Sequence, residues 1–150
     1  YNRATFYNHF KYKDELVEDL VREKMEAFSN AFLYPFLRKN SGDSLIDSIV
    51  LFDYILNNDQ FFLLFMTHKD MSSMLSKKLL DMIIILLKKV YPADLYESEA
   101  KYNAAITIQA YGIWGLIIEW IKSGYDASPQ FMSEQLTAIL EQKQYSTLLV

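Results

Sequence analysis

The residues best suited to chemistry stand at the front of the chain. Arg3, Thr5, Tyr7, Asn8, His9, Lys11 and Lys13 place cations, hydroxyls, an imidazole and an amide within thirteen residues, with no acid before Asp14. The first thirteen residues carry a formal +3 from Arg3, Lys11 and Lys13, whereas residues 14 to 150 sum to −7, twelve Lys or Arg against nineteen Asp or Glu. Hydroxyl, imidazole and ammonium groups can hold phosphates, and amide or guanidinium groups can read base edges. A small nucleic-acid-binding element attached to an acidic body has this asymmetry. Asn2 suits the N-cap of a brief helix, with Tyr1 and Phe6 at the two positions of a hydrophobic staple.

Other chemistries lack their residues. The chain has no cysteine, which removes disulfides, thiol nucleophiles and thiolate metal sites and fits a reducing cytoplasm. Its two histidines, His9 and His68, belong to no Glu-x-x-His pair of the kind that dimetal bundles use. No Gly-x-Ser-x-Gly elbow, phosphate loop or Gly-x-Gly-x-x-Gly run is present. Carboxylates such as Glu97 and Glu99 read as surface groups. The expectation is a protein that is not an enzyme and needs no metal or cofactor.

The run Asn-Arg-Ala-Thr-Phe-Tyr-Asn-His-Phe, followed by Lys-x-Lys-Asp-Glu-Leu, resembles the end of the helix-turn-helix in tetracycline-repressor-type (TetR) transcriptional regulators. The resemblance covers about a tenth of the chain. It implies that residues 1–13 form the recognition-helix end of a DNA-binding domain and residues 14–150 a helical ligand-sensing and dimerisation domain. It further implies that Arg3, Ala4 and Asn8 lie near base edges, while Thr5, Tyr7, His9 and Lys13 hold phosphates. Tyr12 departs from the pattern, since the family usually has a small polar cap there and a tyrosine cannot cap. A trihelical DNA-binding unit needs two earlier helices, so the expectation is a fragment preceded by roughly forty residues, three short helices of about eleven residues each plus turns.

The rest of the chain reads as helices that could carry such an element. Only four Gly and three Pro occur, and 51% of residues are hydrophobic, which predicts an all-α fold with few breaks. A long amphipathic helix runs from Asp14 to about Leu37, with Leu16, Val17, Leu20, Val21, Phe28, Phe32 and Phe36 on its apolar face. After the break at Arg38 to Asp43 come helices at about Ser44 to Asn57, Gln60 to Thr67, Met71 to Tyr91, Leu95 to Ser123 and Pro129 to Lys143. In the fifth of these six, the uncharged run from Ala104 to Ile118 is about fifteen residues, short of the roughly twenty that cross a bilayer.

Two functional faces are expected on this body. Gly112 and Gly115 each cost about 1 kcal/mol in a helix interior relative to Ala, and close approach of another helix would offset that. Ala104, Ile108, Gly112 and Gly115, with Phe131 and Leu136 of the last helix, are therefore candidates for a two-fold homodimer contact. The resemblance also implies a pocket among the middle helices, for which Tyr54, Phe62, Phe65, Met66, His68, Met82, Gln109, Tyr111 and Trp114 are candidates, although the same residues at helical spacing would serve as ordinary core. His68 beside a turn reads better as an exposed helix-end residue, whereas Gln109 in an apolar helix needs a hydrogen-bond partner, in a pocket or across a dimer.

Taken together, these features predict an all-α, homodimeric, cytoplasmic TetR-type repressor that binds double-stranded operator DNA and answers to a small-molecule or protein effector, with no membrane partner. The alternative is a non-enzymatic protein-interaction or coactivator module on the same fold without a pocket.

Overall fold

Sparse helix breakers let long segments close their own backbone hydrogen bonds, and the described residues do so as six α-helices. The computed structural model describes the backbone of residues 3–37 and 44–148, and the side chains of residues 15–37, 48–64 and 66–140. The helices are α1 (Arg3–Leu37), α2 (Ser44–Asn57), α3 (Asp59–Thr67), α4 (Ser72–Val90), α5 (Glu99–Lys122) and α6 (Pro129–Leu148), with a 3-10 turn at Ala93–Leu95. No strand occurs among the described residues.

Three boundaries differ from the sequence reading. α1 is one helix of 35 residues, and the break expected between the recognition segment and Asp14 is absent. Lys11-Tyr12-Lys13 contains neither a helix breaker nor a side chain able to cap, so the helix propagates through it. α5 starts at Glu99 because Ser98, in extended conformation, accepts from the Lys101 amide at 3.2 Å. α6 continues to Leu148. The expected break at Arg38 to Asp43 lies outside the described residues.

α1 packs between α2 and α4, α6 lies along α2, and α5 packs on α3, α4 and α6. Their shared core holds Val21, Met25, Phe28 and Phe32 from α1, Leu51, Phe52 and Ile55 from α2, and Leu75, Leu79, Ile83, Leu86 and Leu87 from α4. From α5 it takes Tyr102, Ile106, Ala110, Ile113, Ile117 and Trp120. Phe52 and Trp120 meet edge to face with ring centroids 5.5 Å apart, joining α2 to α5. By length and composition α5 would suffice to cross a membrane; here it is a core helix, its inner face covered by three neighbours.

Directional bonds at the α2–α3 corner fix how these helices meet. Lys24 of α1 donates from Nζ to Asn58 Oδ1 at 2.5 Å, and the Tyr54 hydroxyl donates to the Lys24 carbonyl at 2.7 Å. Asn58 Nδ2 donates back to the Tyr54 carbonyl at 2.9 Å. From the α5–α6 turn, the Tyr125 hydroxyl donates to the Asp59 carbonyl at 2.9 Å.

That turn ends α5 with Gly124 at φ 77° and bonds from the Gly124 amide to the Ile121 carbonyl and from the Tyr125 amide to the Trp120 carbonyl. This is the paired closure that satisfies the last carbonyls of a helix. Ser128 then caps α6, its Oγ accepting from the Phe131 amide at 3.1 Å.

Two measurements test this packing. Phe28 is fully buried, so Phe28→Ala should destabilise the chain by about 3–5 kcal/mol in chemical denaturation. Burial, with Glu23 nearby, pushes the Tyr54 hydroxyl up to about 12, and burial with Asp59 does the same for Tyr125. Because both exceed their unfolded value of about 10, the unfolded chain loses these protons first as pH rises. Their stabilising contribution is whole below about pH 10 and lost as pH climbs through about 12. Denaturation midpoints across that window should fall less steeply in Tyr54→Phe and Tyr125→Phe than in the parent chain.

Candidate functional site

The α1–α4 contact leaves a cleft of about 860 Å³ on the outside of the core. Its floor is apolar, formed by Val21 and Met25 of α1 and Met82 and Ile85 of α4. Val21 and Met25 also belong to the core, whereas Ile85 remains half exposed. The α1 wall carries Glu18, Arg22, Glu26 and Ser29, and the α4 wall Lys78, Asp81 and Lys89. Arg22 is held by Asp19 at 2.7 Å, one turn away on the same helix. No ion pair crosses the cleft among the described residues, so the rim charges of both signs stay hydrated. The volume falls in the range of small-molecule sites, and two methionines give the floor an adaptable surface.

Met82 is the pocket candidate that lines this cleft. Phe62 and Met66 are buried in the common core, and Tyr54 binds the Lys24 carbonyl beside them. The Phe65 side chain lies outside the described residues. Trp114 is half-buried and donates from Nε1 to the Ser76 carbonyl at 2.9 Å, which ties α5 to α4. Tyr111 is exposed, with its ring edge-on to Trp114 at 6.0 Å. His68 is exposed at the end of α3, as its place beside a turn implies. Gln109 points into the core, where its Oε1 has no protein partner.

The cleft residues were legible only in part. α4 carries a second apolar line, Met82 and Ile85, beside its core stripe of Leu79, Ile83 and Leu86, more apolar surface than one packing face requires. That surplus is the signal in the sequence. Which residues of α1 stand opposite depends on how two distant segments pack.

A second surface is apolar and uncovered. Ala104, Ile108, Tyr111 and Gly112 lie exposed along one side of α5, with Gly115 half-buried among them, and Phe131 is exposed on α6. Ile108 is 69% exposed. A methyl group added at Gly112 would meet Ile139 only at ordinary contact distance, 3.9 Å, and one at Gly115 would meet nothing within 4 Å. Packing inside the chain therefore does not require either glycine. Leu136 is placed differently from the other dimer candidates: it is buried in the chain's own core, because the inner face of α6 packs on α2.

The DNA-contact candidates Arg3, Ala4, Thr5, Tyr7, Asn8, His9 and Lys13 all fall in the first turns of α1, and their side chains lie outside the described residues. At 1.5 Å per residue, α1 is about 52 Å long. Leu16 and Leu20 are exposed and Val17 is partly buried against the core, while full burial begins at Val21. Among the described residues, no group of three or more His, Asp or Glu side chains could hold a metal ion.

Comparison with known proteins agrees with the organisation of the body. The family model described as the C-terminal region of TetR-type transcriptional regulators matches residues 47–142, which is 96 of the 150 residues and spans α2 to most of α6. No curated protein and no solved structure matches the chain. A matching region that covers this share of the chain, on an all-helical body with the predicted order of helices, places the chain in the TetR family of transcriptional regulators.

Proposed function

We propose that the chain is the sensing and dimerisation part of a cytoplasmic, DNA-binding repressor, with residues 1–13 contributing to the DNA-binding head and residues 14–150 forming the body. The observation that carries this reading is α1, an unbroken helix with the cationic segment at one end and a wall of the cleft in its second half. Exposed Leu16 and Leu20 at the foot of its first half give a head domain an apolar surface to pack on.

An effector with an apolar body enters the cleft and changes the angle of α1 to α4, which alters the spacing of the two DNA-reading ends in a dimer. The cleft supports a small-molecule effector over the alternative of a coactivator or adaptor module without a pocket. The uncovered face of α5 and α6 supports a two-fold dimer, in which the second copy offsets the cost of Gly112 and Gly115.

Mobility-shift titration of the full-length protein, against DNA from upstream of its own gene, should give a sequence-specific shift that weakens with added salt. Absence of any specific shift at moderate salt sinks the repressor reading. Light scattering at micromolar concentration should show a dimer that Ile108→Glu or Gly115→Leu converts to monomer with little loss of helicity. A monomeric parent chain would remove the dimer from the proposal.

A further inference from the structure

The α2–α3 corner grips α1 at a single residue from two directions. Asn58 Oδ1 accepts from the Lys24 ammonium and the Tyr54 hydroxyl binds the Lys24 carbonyl, so one position on α1 is held both by its side chain and by its backbone. The Lys24 ammonium also lies 5.9 Å over the Phe61 ring. Asn58 is itself fixed, because its Nδ2 donates to the Tyr54 carbonyl and its own carbonyl accepts from the Phe62 amide at the start of α3. Apolar packing at Phe28 and Phe32 holds α1 sideways but is non-directional. Directional bonds at Lys24 set its rotation and its axial position.

The same corner is tied to the far side of the body by a residue in an uncommon conformation. Tyr125 has φ 62°, the left-handed region that favours glycine, directly after Gly124 at φ 77°. A second glycine would satisfy the turn. A tyrosine adds a ring packed edge-on against Trp120, with centroids 5.0 Å apart, and a hydroxyl that reaches the Asp59 carbonyl 66 positions away in sequence. An uncommon backbone conformation kept beside a long-range bond is a reason to look for a role.

We propose that Tyr125, Asn58, Tyr54 and Lys24 form a latch through which the α5–α6 turn sets the direction of α1. This inference deepens the proposed function, since it rests on α1 carrying the DNA-contacting residues. The four are positioning residues, distinct from the cleft lining. By helical register Lys24 stands on the flank of α1 away from Glu18, Arg22 and Ser29, so a movement of α1 driven from the cleft must turn about the latch or open it. The α5–α6 turn joins the two helices that carry the uncovered apolar face, so a partner seated there bears on the same bonds.

The chain lacks cysteine, so paired spin labels at Glu15→Cys and Glu134→Cys, both exposed positions, report the direction of α1 against α6. Labelled chains are diluted into unlabelled ones so that only distances within a chain are read. The parent should give one narrow distance distribution. Tyr125→Phe and Tyr54→Phe should each broaden or shift it, and Glu97→Ala, which removes an exposed ion pair with Lys101 elsewhere, should leave it unchanged.

Hydrogen exchange gives a second readout: the α1 amides from Met25 to Phe28 should exchange about fivefold faster in Tyr125→Phe, the ratio that one neutral hydrogen bond is worth. A purely local role for Tyr125 would quicken exchange in the α5–α6 turn and at the start of α3 alone. An unchanged distance in both phenylalanine variants, or unchanged α1 exchange in Tyr125→Phe, overturns the latch. Failure of the DNA-binding reading would show in the mobility-shift assay of the parent protein, which neither of these measurements uses.

Discussion

Burial of one stripe on α1 is the constraint from which the rest of the structure follows. Val21, Met25, Phe28, Ala31 and Phe32 recur at spacings of three and four and are closed off from water by α2 on one flank and α4 on the other. Once α1 occupies that position, α6 covers the outer side of α2 and α5 covers α3 and α4. Full burial stops at Val21, with Val17 partly buried beyond it, and Leu16 and Leu20 stay exposed although they continue the apolar pattern. A small rotation at the buried end becomes a displacement at Arg3, because a helix of about 52 Å acts as a stiff lever.

α5 meets two demands on opposite faces. Its inner face supplies Ile106, Ala110, Ile113 and Ile117 to the core, and its outer face shows Ala104, Ile108, Tyr111 and Gly112 to solvent. Apolar residues all round a helix mean cover on every side, and among the described residues Ile108 and Tyr111 of the outer face stay exposed. Two glycines with no close neighbour inside the chain point the same way. Gln109 sits on the inner face with an acceptor that no protein group meets. A buried acceptor without a partner costs about 1–3 kcal/mol, so the core is not optimised for stability alone at this position.

The charges are arranged by element. The cleft rim carries Glu18 and Glu26 from α1 against Lys78 and Lys89 from α4, and none of them closes an ion pair among the described residues. Exposed pairs of this kind contribute little to stability, so their separation costs the fold almost nothing and leaves the rim free to meet a ligand of either sign. The front of α1 differs in carrying a net positive charge on an acidic chain.

What the sequence by itself determined was the set of helices and the family. Apolar spacing, the Ser128 cap and Gly124 are local devices, and each acts within a few residues of where it is written; the Ser98 cap is equally local, although the apolar pattern alone started α5 at Leu95. Val21, Phe28 and Phe32 of the buried α1 stripe were legible for the same reason, whereas Met25 and Ala31 were not in the expected stripe and its Leu16 and Leu20 are exposed; the apolar line along α5 was legible because helical period alone puts Ala104, Ile108 and Gly115 together.

Tertiary structure decided everything that needed two distant segments. It joined α1 and α4 into a cleft in which Met82 is the shared residue with the expected pocket. It sent Phe62, Met66 and Leu136 into the core and turned Gln109 inward. It also brought Lys24, Asn58 and Tyr125 to one corner across separations of 34 and 66 residues. The physical reason is common to all of these: periodicity fixes which face of a helix is apolar, but only packing fixes which neighbour that face meets.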